Sequence, residues 1–231
     1  MVLDATSRAL ELLLSGDPEL WSIIGVSFTV STSAILVAVP LSLVIALLLA
    51  YTRFPGRRLL ISLFNTLLSV PAVVVGLTLY ILLSRQGPLG EWRLLFTQGA
   101  MILGQITLSV PILVAMGHSA LQAADVRAWE TARTLGAGPL RALYTVLREV
   151  RFALLAALMA AYGRIIAEVG ASMMLGGNIL EYTRNIPTAI ALETSKGEFA
   201  QGIALGLVLL GISFALNMLL QYFQGRGRWR R

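Results

Sequence analysis

The sequence predicts an all-α integral membrane protein with about five transmembrane helices. Hydrophobic residues make up 57% of the chain and charged residues only 13%, which is about half of the charged share of an ordinary soluble domain. The mean hydropathy of +0.79 indicates the same class. The charges also fall in separate groups, and between these groups lie five apolar stretches that are long enough to cross a bilayer.

The elements are predicted in order from these stretches. Residues 1–16 mix leucines with acidic and basic side chains, and we expect them to form an amphipathic segment at the membrane surface. Asp17, Pro18 and Glu19 then provide an N-cap, a first-turn proline and an acidic side chain, which together open a helix. Each span exceeds the ~20 residues that cross ~30 Å of hydrocarbon. The spans are predicted at about residues 21–51, 59–84, 95–122, 152–175 and 200–224.

The basic residues predict the orientation of these spans. With the N-terminus outside, 12 of the 18 lysines and arginines lie on the inner side, in residues 52–58, residues 123–151 and the C-terminal tail. Five lie on the outer side, and Arg164 lies within the fourth span. The positive-inside rule therefore predicts that the C-terminus is cytoplasmic. The basic tail is explained as a topology anchor near anionic lipid, without a nucleic-acid partner.

The longest charged segment, residues 123–151, predicts a helical hairpin in water between two apolar spans. Residues 128–135 are good helix formers, and Gly136 suits the left-handed turn that ends a helix. Pro139 suits the first turn of a second short helix, on which apolar residues recur three or four apart. A charged hairpin in this position is typical of a surface that contacts a partner.

The hairpin carries a recognisable pattern. Glu130-Thr131-Ala132 followed by Gly136 resembles the E-A-A-x3-G coupling loop of permeases from ATP-binding cassette (ABC) importers, whose concluding I-x-L-P is replaced here by Val146-Leu147-Arg148-Glu149. The resemblance implies that the hairpin docks on a cytoplasmic ATPase. The coupling residues that it implies are Ala128, Glu130, Ala132 and Gly136.

Two charges lie within the fourth span. Arg164 and Glu168 are four residues apart, which places them on one face of a helix. Charges within a bilayer face protein or a water-filled path, so both a structural ion pair and a pathway role stay open. After this span, Gly176, Gly177 and Asn178 predict a flexible loop that a substrate can approach closely.

The same region resembles the oxyanion branch of the ABC importer permeases. The run GRIIAEVGASMMLGGNI, followed by Thr183 and Arg184, is most similar to the tungstate permeases, with molybdate and sulfate permeases as the alternatives. The resemblance implies one type I permease domain over residues 1–231, in the inner membrane of a prokaryotic cell. It further implies a homodimer around one pore, a cytoplasmic ATPase dimer and an extracytoplasmic oxyanion-binding protein, and it adds Arg184 to the possible pathway loop.

Other function classes are disfavoured by what the sequence lacks. It has no cysteine and only one histidine, His118, which argues against thiol chemistry and metal sites. Its single lysine, Lys196, does not belong to a G-K-[ST] phosphate loop, so we expect no cofactor here and ATP hydrolysis on a partner chain. A secondary transporter or channel would need a coupling-ion site or an inverted repeat. A membrane-embedded enzyme would need more than Arg164 and Glu168.

The orientation gives the first testable prediction. Because the inner side carries the excess of arginine, reporter fusions at five positions should read inside, outside, inside, outside and inside. These positions are Gly56, Gly87, Gly138, Lys196 and the C-terminus. A cytoplasmic signal at Lys196 would contradict the assignment.

Overall fold

The computed structural model describes residues 15–228, and these residues form nine α-helices and one short 3-10 helix. The predicted surface segment lies outside the described residues except for its last two positions, and the tail beyond residue 228 lies outside them too. In chain order the helices are α1 (Pro18–Tyr51), α2 (Arg57–Leu67), α3 (Ala72–Leu83), the 3-10 helix (Gly90–Trp92), α4 (Gln98–Gln122), α5 (Val126–Thr134), α6 (Pro139–Ile166), α7 (Gly170–Gly176), α8 (Ile186–Lys196) and α9 (Phe199–Arg228).

The number of spans agrees with the sequence prediction. Helices α1, α4 and α9 are each long and apolar enough to cross a membrane. Two helix pairs meet the same criterion only together and are bent, α2 and α3 by 105° and α6 and α7 by 58°, as in a broken span or a re-entrant loop. Counting each pair as one span gives five, and within the described residues every regular element is helical.

Helix α1 begins as predicted and provides one wall of the bundle. The Asp17 Oδ1 atom accepts the Leu20 N–H at 3.0 Å, and Pro18 occupies the first turn. At 34 residues the helix is about 50 Å long, so it must tilt in the bilayer or extend beyond the hydrocarbon. Its small buried side chains, Ala34 and Ala38, lie in a core cluster with residues of α4 and α6.

The predicted span 59–84 is divided in two. Helix α2 ends at Leu67, and α3 starts only after Pro71, which has no amide proton and disfavours helical backbone in the residue before it. Helix α2 buries none of its residues in this chain. The apolar stretch continues without interruption across the bend. The proline is therefore the only sign of the bend in the sequence.

Glycines bring α3 and α7 into close contact. A Cβ added at Gly76 would lie 2.9 Å from the Ala171 Cα, and one added at Gly170 would lie 2.6 Å from the Val73 Cγ2. Gly104 of α4 meets the other side of α7 in the same way. Small residues at such contacts let helix backbones approach closely in membranes. The short helix α7 is therefore held between α3 and α4.

The second helix of the hairpin is much longer than predicted. Helix α6 runs for 28 residues without interruption and includes both the expected short helix and most of the fourth span. Arginine is a good helix former, so the charged residues at the membrane boundary do not end the helix. The predicted span 152–175 is completed by α7, after the break at residues 167–169.

Helices α8 and α9 form a second hairpin, at the end of the bundle where α1 begins. Asn185 and Thr188 form a reciprocal capping box at the start of α8, and Gly197 ends it with φ +83°. The Ile186 N–H donates to Ser27 Oγ of α1 at 2.7 Å. This hairpin is thus fastened to the N-terminal half of α1, and Leu205 of α9 lies in one core cluster with Ile186 and Leu20.

Candidate functional site

The charged hairpin has a defined backbone structure. The Asp125 Oδ1 atom caps α5 by accepting the Arg127 N–H at 2.9 Å. At the other end Gly136 has φ +83°, the left-handed conformation that the sequence predicted. The Ala137 N–H donates to the Ala132 carbonyl at 3.0 Å, as expected where a helix ends in a left-handed residue.

The four predicted coupling residues lie together on this hairpin. Ala128 and Ala132 are half-buried and line a groove of about 630 Å³ between α5 and α6. Glu130 and Gly136 are exposed. No hydrogen bond or ion pair within the described part of the chain involves the Glu130 side chain. Ala128 and Ala132 therefore share the face of α5 that lines the groove, whereas Glu130, two residues from each of them, lies on another face of the helix.

Two leucines that the motif did not indicate make this surface apolar. Leu135 exposes 82% of its area and Leu140 exposes 81%, on either side of the turn. Neighbouring large apolar side chains on a water-facing segment mark a surface that a partner covers. The hairpin thus presents a groove, two exposed leucines and surrounding charges.

An aromatic contact joins the hairpin to the bundle. Trp129 of α5 stacks on Tyr51, the last residue of α1, with ring centroids 6.5 Å apart and an interplanar angle of 23°. An apolar cavity of about 710 Å³ lies beside them, between α1, α5 and the start of α6. Neither ring stands out in the sequence, since only the fold brings residues 51 and 129 together.

The two charges of the fourth span meet at the break between α6 and α7. The Arg164 Nη1 and Glu168 Oε2 atoms are 2.6 Å apart. Glu168 lies beyond the end of α6, where its Oε1 accepts the Gly170 N–H at 2.8 Å and the Ala171 N–H at 3.4 Å. The carboxylate is therefore paired with a cation and also satisfies the first amides of α7.

The partners of this ion pair differ in exposure. The Glu168 side chain is 8% exposed, whereas the Arg164 side chain is 48% exposed in the isolated chain. From α4, the Gln105 Nε2 donates to the Ile165 carbonyl at 3.3 Å, which also accepts the Glu168 N–H at 3.2 Å. Glu168 is thus a structural centre of the bend, while Arg164 has one face open.

The glycines where α7 ends, Gly176 and Gly177, pack closely against their neighbours. A Cβ at Gly176 would lie 2.7 Å from the Met101 sulfur, and one at Gly177 would lie 2.8 Å from the Phe96 ring. The Thr183 hydroxyl donates to the Gly176 carbonyl at 2.6 Å and closes the loop. These glycines serve close packing against α4 and the segment before it, while Gly177 itself stays exposed at the surface.

Two polar residues of this loop keep unsatisfied atoms. The Arg184 Nη1 lies 3.2 Å from Glu19 Oε1 at the start of α1, but its buried Nε has no partner among the described residues. The Oδ1 of Asn178 is likewise buried and unpaired within residues 15–228. These residues lie at the opposite end of α1 from the hairpin, about 50 Å away by the length of that helix.

The fold defines a helical membrane protein, and sequence comparison identifies its family. Residues 20–229 match the family described as "Binding-protein-dependent transport system inner membrane component". The chain belongs to this family. It is an all-helical inner-membrane component of such a transport system.

Curated relatives add detail. The chain is 42% identical over 218 residues to the tungstate uptake system permease protein TupB of Campylobacter jejuni, covering 94% of this chain and 91% of that protein. It is 40% identical to TupB of Peptoclostridium acidaminophilum, covering 94% of this chain and 95% of that protein. The molybdenum transport system permease protein ModB of Escherichia coli is 33% identical, covering 88% of this chain and 92% of that protein.

Solved structures share the fold. An amino acid ABC transporter chain superposes with a TM-score of 0.66 at 16% identity, covering 93% of this chain and 96% of that one. A chain of the MetNI methionine ABC transporter in inward-facing conformations gives a TM-score of 0.65 at 14% identity, covering 91% and 94%. At these identities the likeness establishes the architecture alone.

The ion pair at the bend gives the second testable prediction. Glu168→Gln keeps an oxygen for the two amides but leaves Arg164 without its carboxylate, so it should lower the unfolding temperature more than the double change Arg164→Gln/Glu168→Gln. We expect a coupling of about 1–2 kcal/mol, below the ~3–5 kcal/mol of a fully buried pair, because Arg164 is half-exposed. Thermal unfolding of the purified variants measures the coupling.

The Glu193–Lys196 pair is the matched control for transport function. Its carboxylate side chain is 5% exposed and its cationic side chain 50% exposed, close to the values for Glu168 and Arg164. Glu193→Gln should have a similar effect on stability. A double variant as damaged as the worse single variant would show that Arg164 and Glu168 do not compensate each other. Loss of uptake in stably folded Arg164 variants, but not in Glu193→Gln, would indicate that Arg164 acts on the transported anion.

Proposed function

We propose that this chain is the permease subunit of an ATP-driven importer, and that it moves tungstate from a binding protein into the cytoplasm. The substrate assignment is supported by the two relatives named as tungstate uptake permeases, at 40–42% identity over 94% of the chain. Molybdate is the second candidate, supported by the 33% identity to a molybdenum permease. Both anions are tetrahedral dianions, so the same pathway can suit either.

The continuity of α6 carries the proposed mechanism. One helix of 28 residues, about 42 Å long, begins in the hairpin at Pro139 and ends beside the Arg164–Glu168 bend. A helix that lacks a break transmits a displacement from one end to the other. ATP-driven movement of the hairpin therefore reaches the middle of the membrane through α6, and it reaches α1 through the Tyr51–Trp129 stack.

The proposed transporter contains three kinds of subunit. Two copies of the permease surround one pore, two ATPase subunits bind the hairpins through Leu135, Leu140 and the motif residues, and a binding protein delivers the oxyanion on the other side. The hairpin is cytoplasmic and the N-terminus is outside, as the arginine distribution favours. The permease has no ATPase site of its own, in keeping with its lack of a phosphate loop.

Among the residues considered for the pathway, Arg164 has the strongest case. Its guanidinium is half-exposed in a helix that lies within the bilayer, where a charge normally faces protein or water. In our proposal the open side of Arg164 faces the anion path, while Glu168 holds the bend. Gly176 and Gly177 act as packing residues, and Asn178 and Arg184 supply polar atoms at the outer end.

The hairpin is tested by two glycines in the same turn. Gly136→Ala forces an alanine into φ +83°, at about 1 kcal/mol or more, although there is open space for its Cβ. Gly138→Ala is the matched control, because Gly138 has φ −63° and equal space. We expect Gly136→Ala, but not Gly138→Ala, to reduce ATP hydrolysis stimulated by the anion-loaded binding protein.

Glu130→Arg tests the docking surface itself. It reverses a charge on the exposed face of α5 without touching a span, so the ATPase should co-purify less while insertion stays normal. If Gly136→Ala and Glu130→Arg both hold the ATPase and couple hydrolysis to uptake like the parent, the hairpin is a solvated loop and the docking proposal is wrong.

The transported anion is tested in proteoliposomes that contain the permease, its ATPase and its binding protein. We expect ATP-dependent accumulation of tungstate at a lower half-saturating concentration than molybdate, with sulfate weaker still. Molybdate taken up at the lower concentration would transfer the assignment to molybdate. Accumulation without ATP would instead favour the secondary-transporter alternative.

A further inference from the structure

A second apolar cavity lies between α1, α4 and α6, on the hairpin side of the bundle. Its volume is about 370 Å³, within the ~300–1,000 Å³ of pockets that hold small molecules. Most of its lining is aliphatic, with Leu43 from α1, Leu113 from α4 and Leu154 and Leu158 from α6. The occupant of such a space has to be mainly hydrocarbon.

The cavity has one charged residue in its lining, Arg151. This residue lies at the hairpin-side end of the α6 lining, and its guanidinium carbon is 4.7 Å from the centroid of the Phe152 ring. The described residues provide no carboxylate within ion-pair distance of it. An uncompensated arginine beside an aliphatic cavity provides a positive charge next to a hydrophobic volume.

A hydroxyl group in the same cavity is also unsatisfied. Ser42 of α1 lines the cavity and is 1% exposed. Its Oγ is buried and has no hydrogen-bond partner among residues 15–228. Buried hydroxyl groups normally have a partner, so this donor is available to an acceptor on whatever occupies the cavity.

We propose that this cavity binds an anionic phospholipid from the leaflet that faces the hairpin. One acyl chain occupies the aliphatic volume, the phosphate pairs with Arg151, and Ser42 donates its hydroxyl proton to a glycerol ester carbonyl. Each part of the lipid thereby meets a group of matching chemistry: hydrocarbon on leucines, anion on guanidinium, and ester oxygen on hydroxyl. Only the assignment of that leaflet to the cytoplasmic side rests on the proposed orientation; the lipid site itself does not.

The proposal is tested by titrating the delipidated full-length chain with phosphatidylglycerol and with phosphatidylethanolamine of identical acyl chains. Native mass spectrometry counts the lipids bound to each variant. We expect the parent to prefer phosphatidylglycerol by about fivefold, the factor that corresponds to the ~1 kcal/mol of one basic side chain near an anionic lipid surface. Arg151→Gln should reduce this preference to less than twofold.

Arg148→Gln is the matched control, because Arg148 is an exposed arginine one turn earlier on α6 and does not line the cavity. It should keep the preference. Leu43→Trp should fill the cavity and weaken the binding of both lipids. Equal effects of Arg148→Gln and Arg151→Gln, or no preference in the parent, would overturn the proposal.

A second copy of the chain could occupy the cavity instead of a lipid. A cysteine introduced beside the cavity distinguishes these two occupants. The sequence contains no cysteine, so Leu155→Cys at the rim of the cavity introduces a single thiol. Under the lipid proposal this thiol reacts with a membrane-soluble maleimide and forms no disulfide-linked dimer on oxidation. Efficient dimer formation through Cys at this position would show that the partner covers the cavity and that the lipid assignment is wrong.

Discussion

The structure depends on one constraint: hydrocarbon provides no hydrogen-bond partner for a free backbone group, so every break in a spanning helix must be satisfied by the protein. At the end of α6 the chain turns by 58°, which exposes carbonyls on one side and amides on the other. Gln105 donates to the Ile165 carbonyl, and the Glu168 carboxylate accepts from the first amides of α7. Arg164 then neutralises that carboxylate. The bend therefore explains why Arg164 and Glu168 lie within this span.

The same logic explains where rigidity and close packing occur. A bend whose backbone groups all have hydrogen-bond partners can be stiff. Helix α7 is also packed tightly, because Gly76, Gly104 and Gly170 have no side chains that would separate it from α3 and α4. The continuous helix α6 therefore ends against a part of the structure that has little freedom to yield.

Most of the architecture could be predicted because lipid makes hydropathy a strong signal. The helical class, the approximate number of spans, the Asp17 cap and the turn at Gly136 are local properties of the sequence. The division of the span at Pro71 and the length of α6 were missed, because apolar sequence continues through the first bend and arginines do not interrupt a helix.

The candidate site was only partly predictable, for a different reason. The spacing of Arg164 and Glu168 indicated their contact, since four residues separate neighbours on one helix face. The contacts of Gln105 with Ile165 and of Tyr51 with Trp129 join residues that are 60 and 78 positions apart. A single sequence carries no signal for such pairs. For Gly176 and Gly177 the sequence indicates flexibility, and only the fold shows the methionine sulfur and the phenylalanine ring that pack on them.

Helix α2 has a consequence for the isolated chain. It buries none of its residues in the single chain, although Leu59 and Leu63 expose 74% and 48% of their area. A segment with few buried apolar contacts has a low local free energy of opening, so the order of α2 depends on the lipid or protein that covers it. A copy of the chain without such a cover leaves these leucines exposed.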